Sequence, residues 1–144
     1  MMNIKDPSIS KEKYDYRLDL RQRVSYEKWV NFIENHKKYF IWQEETDEGR
    51  ETLAKLDKIP ESFREGIVKG HNKSRAFAEF NPKRSYYEMY VDFNEKYGMV
   101  TTTFMKPITK DHLRILLDMA NYLDAYLLNN GTEIIDEKVL GSLK

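Results

Sequence analysis

The three histidines are the residues of this chain best suited to acid–base chemistry, because an imidazole changes charge near neutral pH. They are His36, His71 and His112. No His-Glu-x-x-His motif and no short metal-ligand spacing accompanies them, so we expect no metal site. We interpret His112 as a surface residue in the first turn of a helix. His71 is followed by Lys73 and Arg75 in a predicted loop, which could hold an anionic group or simply be a solvated turn.

A catalytic site built on His71 would also need a cationic group and a carboxylate close to it in space. The sequence offers Arg75 as the cation and Glu79 or Glu88 as the carboxylate, all on or beside predicted strands. No Gly-x-Ser-x-Gly elbow, P-loop or Gly-x-Gly-x-x-Gly turn supports nucleophilic or nucleotide chemistry. These four residues are therefore the candidate catalytic set of an alternative, enzymatic function, for which we expect no cofactor.

Residues 85–93 alternate between apolar and polar side chains with the period of a half-buried strand. Tyr87, Met89, Val91 and Phe93 form the set predicted to face the core. The opposite face, with one residue of the preceding strand, would present a binding surface made of Phe77, Tyr86, Glu88, Tyr90 and Asp92. Tyrosine is enriched at protein interfaces, which favours a binding role. The alternative is that a helix carrying Trp29 and Phe32 covers this face.

The acidic run Glu44, Glu45, Asp47 and Glu48 permits two interpretations. As a site, these carboxylates could take a divalent cation or attract a basic partner protein. As local structure, Thr46 or Asp47 would cap the next helix, and the acids would favour its positive end. The spacing lacks the alternation and central glycine of an EF-hand loop, so we do not expect calcium binding.

Bulk composition argues against nucleic-acid binding, thiol chemistry and membrane insertion. The 24 basic and 24 acidic residues give zero net charge, which makes nucleic acid an improbable partner. Cysteine is absent, so disulfides and thiol chemistry are excluded within these 144 residues. No apolar run has the length of a signal peptide or a membrane span, and we expect a cytoplasmic protein with no membrane partner.

Local patterns define the elements that would position these residues. Ser25 and Thr109 are predicted helix N-caps, and residues 75–80, 85–93 and 99–105 are predicted strands. A leucine stripe from Leu113 to Leu127 predicts a long helix that ends at Asn130-Gly131. We therefore predict an α+β fold with an antiparallel sheet of three to five strands. A long C-terminal helix would pack on one face, with N-terminal helices at the edge or on the other face. Residues 1–13 are predicted to be a flexible arm and residues 14–144 a single globular domain.

These features favour a small protein–protein interaction module. A compact, cysteine-free domain with an acidic–aromatic surface would suit a role like that of a bacterial immunity protein or antitoxin, by analogy of form and composition. The expected partner is another protein, with basic character, or a second copy of this chain pairing through an exposed strand edge.

Overall fold

This computed structural model describes residues 3–143 of the chain. These residues contain seven antiparallel strands and five short α-helices. The strands are β1 (Pro7–Ser10), β2 (Phe40–Trp42), β3 (Arg75–Asn81), β4 (Tyr86–Asn94), β5 (Met99–Phe104), β6 (Tyr126–Asn129) and β7 (Glu133–Ile134). The helices are α1 (Tyr26–Glu34), α2 (Asp47–Ala54), α3 (Glu61–Gly70), α4 (Lys110–Tyr122) and α5 (Glu137–Ser142).

The strands form one sheet in the order β2-β3-β4-β5-β1-β6-β7. Strands β3, β4 and β5 follow one another as hairpins, whereas β1 inserts between β5 and β6. In β1, Ile9 lies opposite both Val100 and Leu127. The range predicted as a flexible arm therefore contains an interior strand at residues 7–10.

One face of the sheet, which we call the core face, packs against α1 and α4. In β4 it presents Met89, Val91 and Phe93, all of which are buried. The Trp29 ring of α1 lies 5.7 Å from the Phe93 ring, measured between centroids. The aromatic helix α1 therefore covers the core face and leaves the face with Tyr90, which we call the outer face, open to other elements.

Side-chain caps start the helices where the sequence indicates. The Ser25 hydroxyl accepts from the Lys28 amide at 3.2 Å, and the Thr109 hydroxyl accepts from the His112 amide at 3.4 Å. These bonds satisfy amides that the first helical turn leaves without an intrahelical partner. Both predicted N-caps are confirmed.

The predicted fold of three to five strands with a long C-terminal helix is wrong. The sheet has seven strands, and the 13-residue helix α4 ends at Tyr122, before two further strands and the short helix α5. Asp124 adopts a left-handed backbone with φ of 52°, and the Ala125 amide donates to the Ala120 carbonyl at 2.9 Å. This arrangement closes the helix as a Schellman motif, so the last part of the leucine stripe becomes strand β6.

The predicted position of the N-terminal helices also needs correction for α1. Helix α1 lies beside α4 on the core face, with the Phe32 and Tyr122 rings 5.8 Å apart. It occupies neither the edge nor the opposite face of the sheet. Helices α2 and α3 instead border the outer face.

Candidate functional site

The outer face of β3 and β4 forms the floor of an open groove. One section, of about 710 Å³, runs between this floor and the start of α2. A second section, of about 900 Å³, runs beneath α3. The two sections share Gln43, His71 and Arg75 as lining residues and are therefore adjacent. Helix α3 contributes no buried residue, and its Phe63 is 63% exposed above the second section.

A row of aromatic rings lies along the first section. The Phe80 and Tyr87 rings are 5.0 Å apart, Tyr87 and Phe77 are 5.2 Å apart, and Phe77 and Tyr90 are 4.7 Å apart. Tyr86 also lines this section, as do Phe77 and Tyr90. Sequence alternation assigns Tyr87 to the core face, but its ring contacts the outer-face rings instead.

An internal ion pair occupies one end of the aromatic row. Arg75 Nε donates to Asp92 Oδ1 at 2.5 Å, and Arg75 Nη2 donates to Asp92 Oδ2 at 3.2 Å. The same guanidinium lies 5.3 Å from the centre of the Tyr90 ring. Two parallel bonds and a ring face are a favourable environment for arginine. Asp92, a predicted binding residue, is therefore engaged within the protein.

The acidic run divides into two pairs. Glu45 bonds Lys37 and the Trp42 amide, while Glu44 accepts from the Lys73 amide at 2.6 Å. These two carboxylates are thus engaged in internal hydrogen bonds around the short turn before α2.

Asp47 and Glu48 are exposed in the first turn of α2 and line the groove. Thr46 caps that helix by accepting from the Gly49 amide at 3.0 Å, as the local interpretation predicts. Within residues 3–143 neither carboxylate forms an ion pair. Both negative charges therefore face the groove without an internal cation.

The candidate catalytic residues lie in two separate places. His71 and Arg75 both line the groove, and His71 Nδ1 donates to the Ile67 carbonyl at 2.8 Å. Glu88 instead accepts from Asn81 at 2.7 Å. Glu79 and Glu88 share Lys106, whose Nζ lies 2.5 Å and 3.8 Å from their respective carboxylates. The structure thus brings His71 and Arg75 together and places the two carboxylates elsewhere.

Glu79 is the centre of a polar cluster that sequence reasoning missed. Its carboxylate accepts from Tyr39 at 2.9 Å, from Lys106 at 2.5 Å and from His112 Nε2. Burial works against the charged carboxylate, but the bonds from Lys106 and Tyr39 and the interaction with His112 outweigh it and lower the pKa of Glu79. Burial, together with the bond to Glu79, raises the pKa of Tyr39.

His112 belongs to this cluster and is only 3% exposed, so the interpretation of His112 as a surface residue is wrong. Its Nδ1 accepts from the Thr109 amide at 2.9 Å, which leaves Nε2 to donate to Glu79. Both ring nitrogens are therefore engaged. The spacing Thr109-x-x-His112 is that of a capping box, and it was the sequence signal available for the contact between Thr109 and His112.

Searches for known relatives or sites add no assignment. Among residues 3–143, no three histidine, aspartate or glutamate side chains converge as a metal site. No helix in that range has the length and apolar character needed to cross a bilayer. No protein-family model matches the sequence, and no match was found among curated proteins or solved structures.

Proposed function

We propose that this protein binds a basic segment of another protein in the groove on its outer face. The observation that carries the proposal is the half-buried aromatic row that lines the groove beside the exposed carboxylates of Asp47 and Glu48. Phe80 is 51% exposed at one end of that row. Exposed aromatic surface beside uncompensated charge is typical of protein-binding sites.

The open shape of the groove favours a polypeptide over a small molecule. The two adjacent sections have volumes of about 710 and 900 Å³ and are open to solvent, whereas small-molecule sites usually enclose most of the ligand surface. Helix α3, which packs no residue into the core, provides the apolar side chains of Phe63 and Ile67 along the second section. An extended segment of a partner would bury these side chains together with the aromatic row.

Self-association through a strand edge has less support. The two edge strands, β2 and β7, contain three and two residues, so each offers few free backbone groups to a second copy. An immunity-like or antitoxin-like role is the biological setting that we propose for binding a basic partner. The enzymatic alternative, with His71, Arg75, Glu79 and Glu88, is less favoured because the carboxylates lie apart from the groove.

Site-specific photo-crosslinking in the source cells tests the proposed function. A photoreactive phenylalanine analogue at Phe80 should crosslink a heterologous protein, and mass spectrometry should locate the crosslink in a lysine- or arginine-rich segment. The same analogue at Tyr126, a strand tyrosine that is 46% exposed on β6, is the matched control. Equal crosslinking at both positions, crosslinks only between copies of this chain, or none at Phe80 would overturn the proposal.

A double variant provides a second test. Tyr86→Ala with Tyr90→Ala should remove two groove side chains and abolish capture of the crosslinked partner, provided that circular dichroism shows a native fold. Equal capture by the folded variant would contradict the assignment of this face.

A further inference from the structure

The aromatic row has one end that already holds a cation. At the end formed by Tyr90, the Arg75 guanidinium lies against the ring and forks onto the Asp92 carboxylate. A ring face and a carboxylate together therefore form a guanidinium site within this protein. This internal arrangement indicates what the other end of the row can bind.

The opposite end, formed by Phe80 and Tyr87, has the same two components without a cation. The two rings are 5.0 Å apart at an interplanar angle of 60°, and Asp47 and Glu48 line the same section of the groove. Within residues 3–143 no lysine or arginine lies over either ring. We call this set of four residues the Tyr87 subsite.

The Asp47 charge reaches the ring system of the Tyr87 subsite. Burial raises the pKa of the Tyr87 hydroxyl, and the negative charge of Asp47 raises it further. Asp47 lies in the first turn of α2, at the positive end of the helix dipole. A negative charge therefore lies beside an aromatic surface that an external cation can reach.

We propose that the Tyr87 subsite binds an arginine side chain of the partner protein. The guanidinium stacks on the Tyr87 and Phe80 rings and donates hydrogen bonds to the Asp47 carboxylate, with Glu48 adding charge at the rim. A planar guanidinium fits better than an ammonium group, because it can stack on a ring and form paired bonds to a carboxylate at once. This inference rests on the proposed function and specifies the chemistry of its partner.

Short synthetic peptides test the subsite on the wild-type protein. Three acetylated, amidated pentapeptides of sequence Gly-Ser-X-Ser-Gly would carry arginine, its neutral isostere citrulline, or lysine at X. Two-dimensional NMR titration should show saturable shifts at the amides of Asp47, Phe80 and Tyr87 with the arginine peptide. We expect the citrulline peptide to bind roughly five-fold more weakly or not at all, and the lysine peptide to lie between them.

Variants separate the ring from the carboxylate. Asp47→Asn and Tyr87→Leu should each weaken the arginine peptide by roughly three- to ten-fold, whereas Tyr87→Phe should bind like the wild type. Glu51→Gln, on the same helix but paired with Lys55, and Tyr126→Leu are matched controls that should leave binding unchanged.

The peptide titrations test the arginine subsite, whereas the crosslinking tests the proposed function. Equal binding of arginine and citrulline peptides, equal binding of arginine and lysine peptides, or no shifts at the subsite would each overturn the arginine assignment. Partner crosslinking at Phe80 would still support the proposed function in all three cases. Absence of that crosslinking would overturn the proposed function even if the arginine peptide binds.

Discussion

The backbone conformation of Glu79 places its side chain on a different face of the sheet from the one that alternation predicts. Alternation places Glu79 on the outer face with Phe77, but its backbone has a φ of +59°, which is rare for a residue with a side chain. The carboxylate consequently reaches Tyr39 and His112 rather than the groove. The strain, of order 1–3 kcal/mol, is offset by charge-assisted hydrogen bonds.

Replacement of Glu79 by glutamine should lower the free energy of unfolding by about 1–3 kcal/mol at neutral pH, because the bonds to Lys106 and His112 lose their charge assistance. The pKa of Glu79 is lowered on folding, so its contribution is complete above the ordinary value of 4.5 and declines as the pH falls through the lower folded value. Urea unfolding of both proteins should therefore show a smaller difference at pH 3 than at pH 5. A difference that is constant or grows on acidification would contradict this assignment.

The candidate binding residues could be predicted in part from residue spacing. The period-two pattern correctly places Phe77 and Tyr90 on one face, because alternation is a property of the extended backbone itself. It fails for Tyr87, which lies on β4 opposite Phe80, the residue that follows the left-handed Glu79 on β3. No sequence pattern indicates a left-handed glutamate inside a strand.

At the scale of elements, the sequence offers two possible ends for α4, one at Asn130-Gly131 and one at Asp124. The Asn130-Gly131 pair predicts a helix C-cap, but both residues have positive φ and form the tight turn between β6 and β7. The helix ends earlier, at Tyr122, and the left-handed Asp124 closes it. Aspartate tolerates the left-handed region less well than glycine, so it is a weak sequence signal for a helix end.

Asp124→Gly should raise the free energy of unfolding by about 0.5–1 kcal/mol, because glycine adopts the left-handed conformation without steric cost. Asp124→Ala is the matched variant and should not stabilise the protein, since it keeps a β-carbon at φ of 52°. Chemical denaturation followed by circular dichroism measures both. If alanine stabilised the protein as much as glycine does, the left-handed cap would not be the origin of the effect.

At the scale of the whole molecule, the N-terminal strand β1 holds the sheet together. Strand β1 joins the β2-β3-β4-β5 part of the sheet to the β6-β7 part, and Ile9 is fully buried between them. The Asn129 side chain also bonds the chain before β1, accepting from the Lys5 amide at 3.0 Å. Without β1, the sheet would separate into two parts with new edges.

Ile9→Ala should lower the free energy of unfolding by about 2–4 kcal/mol, the usual cost of a cavity in a packed core. Ile4→Ala is the control in the same segment and should cost less, because Ile4 is only half-buried. Urea denaturation of the two variants gives the comparison. An effect of Ile9→Ala within about 0.5 kcal/mol would agree with a flexible arm over residues 1–13 and contradict the interior strand.

The sequence by itself determined the features whose hydrogen bonds close within a few residues. The caps at Ser25, Thr46 and Thr109 and the β4–β5 hairpin belong to this class, because a side chain and the next helical turn, or two strands joined by a short turn, suffice to form them.

Only the tertiary structure decided the strand count and the position of the groove. Ser8 pairs with Thr101 and Leu128, which are distant in sequence, so β1 becomes a strand only when both neighbours are in place. The same holds for the outer face. Its rings stay accessible because α1 packs on the core face with α4, where the apolar side chains of both helices are buried.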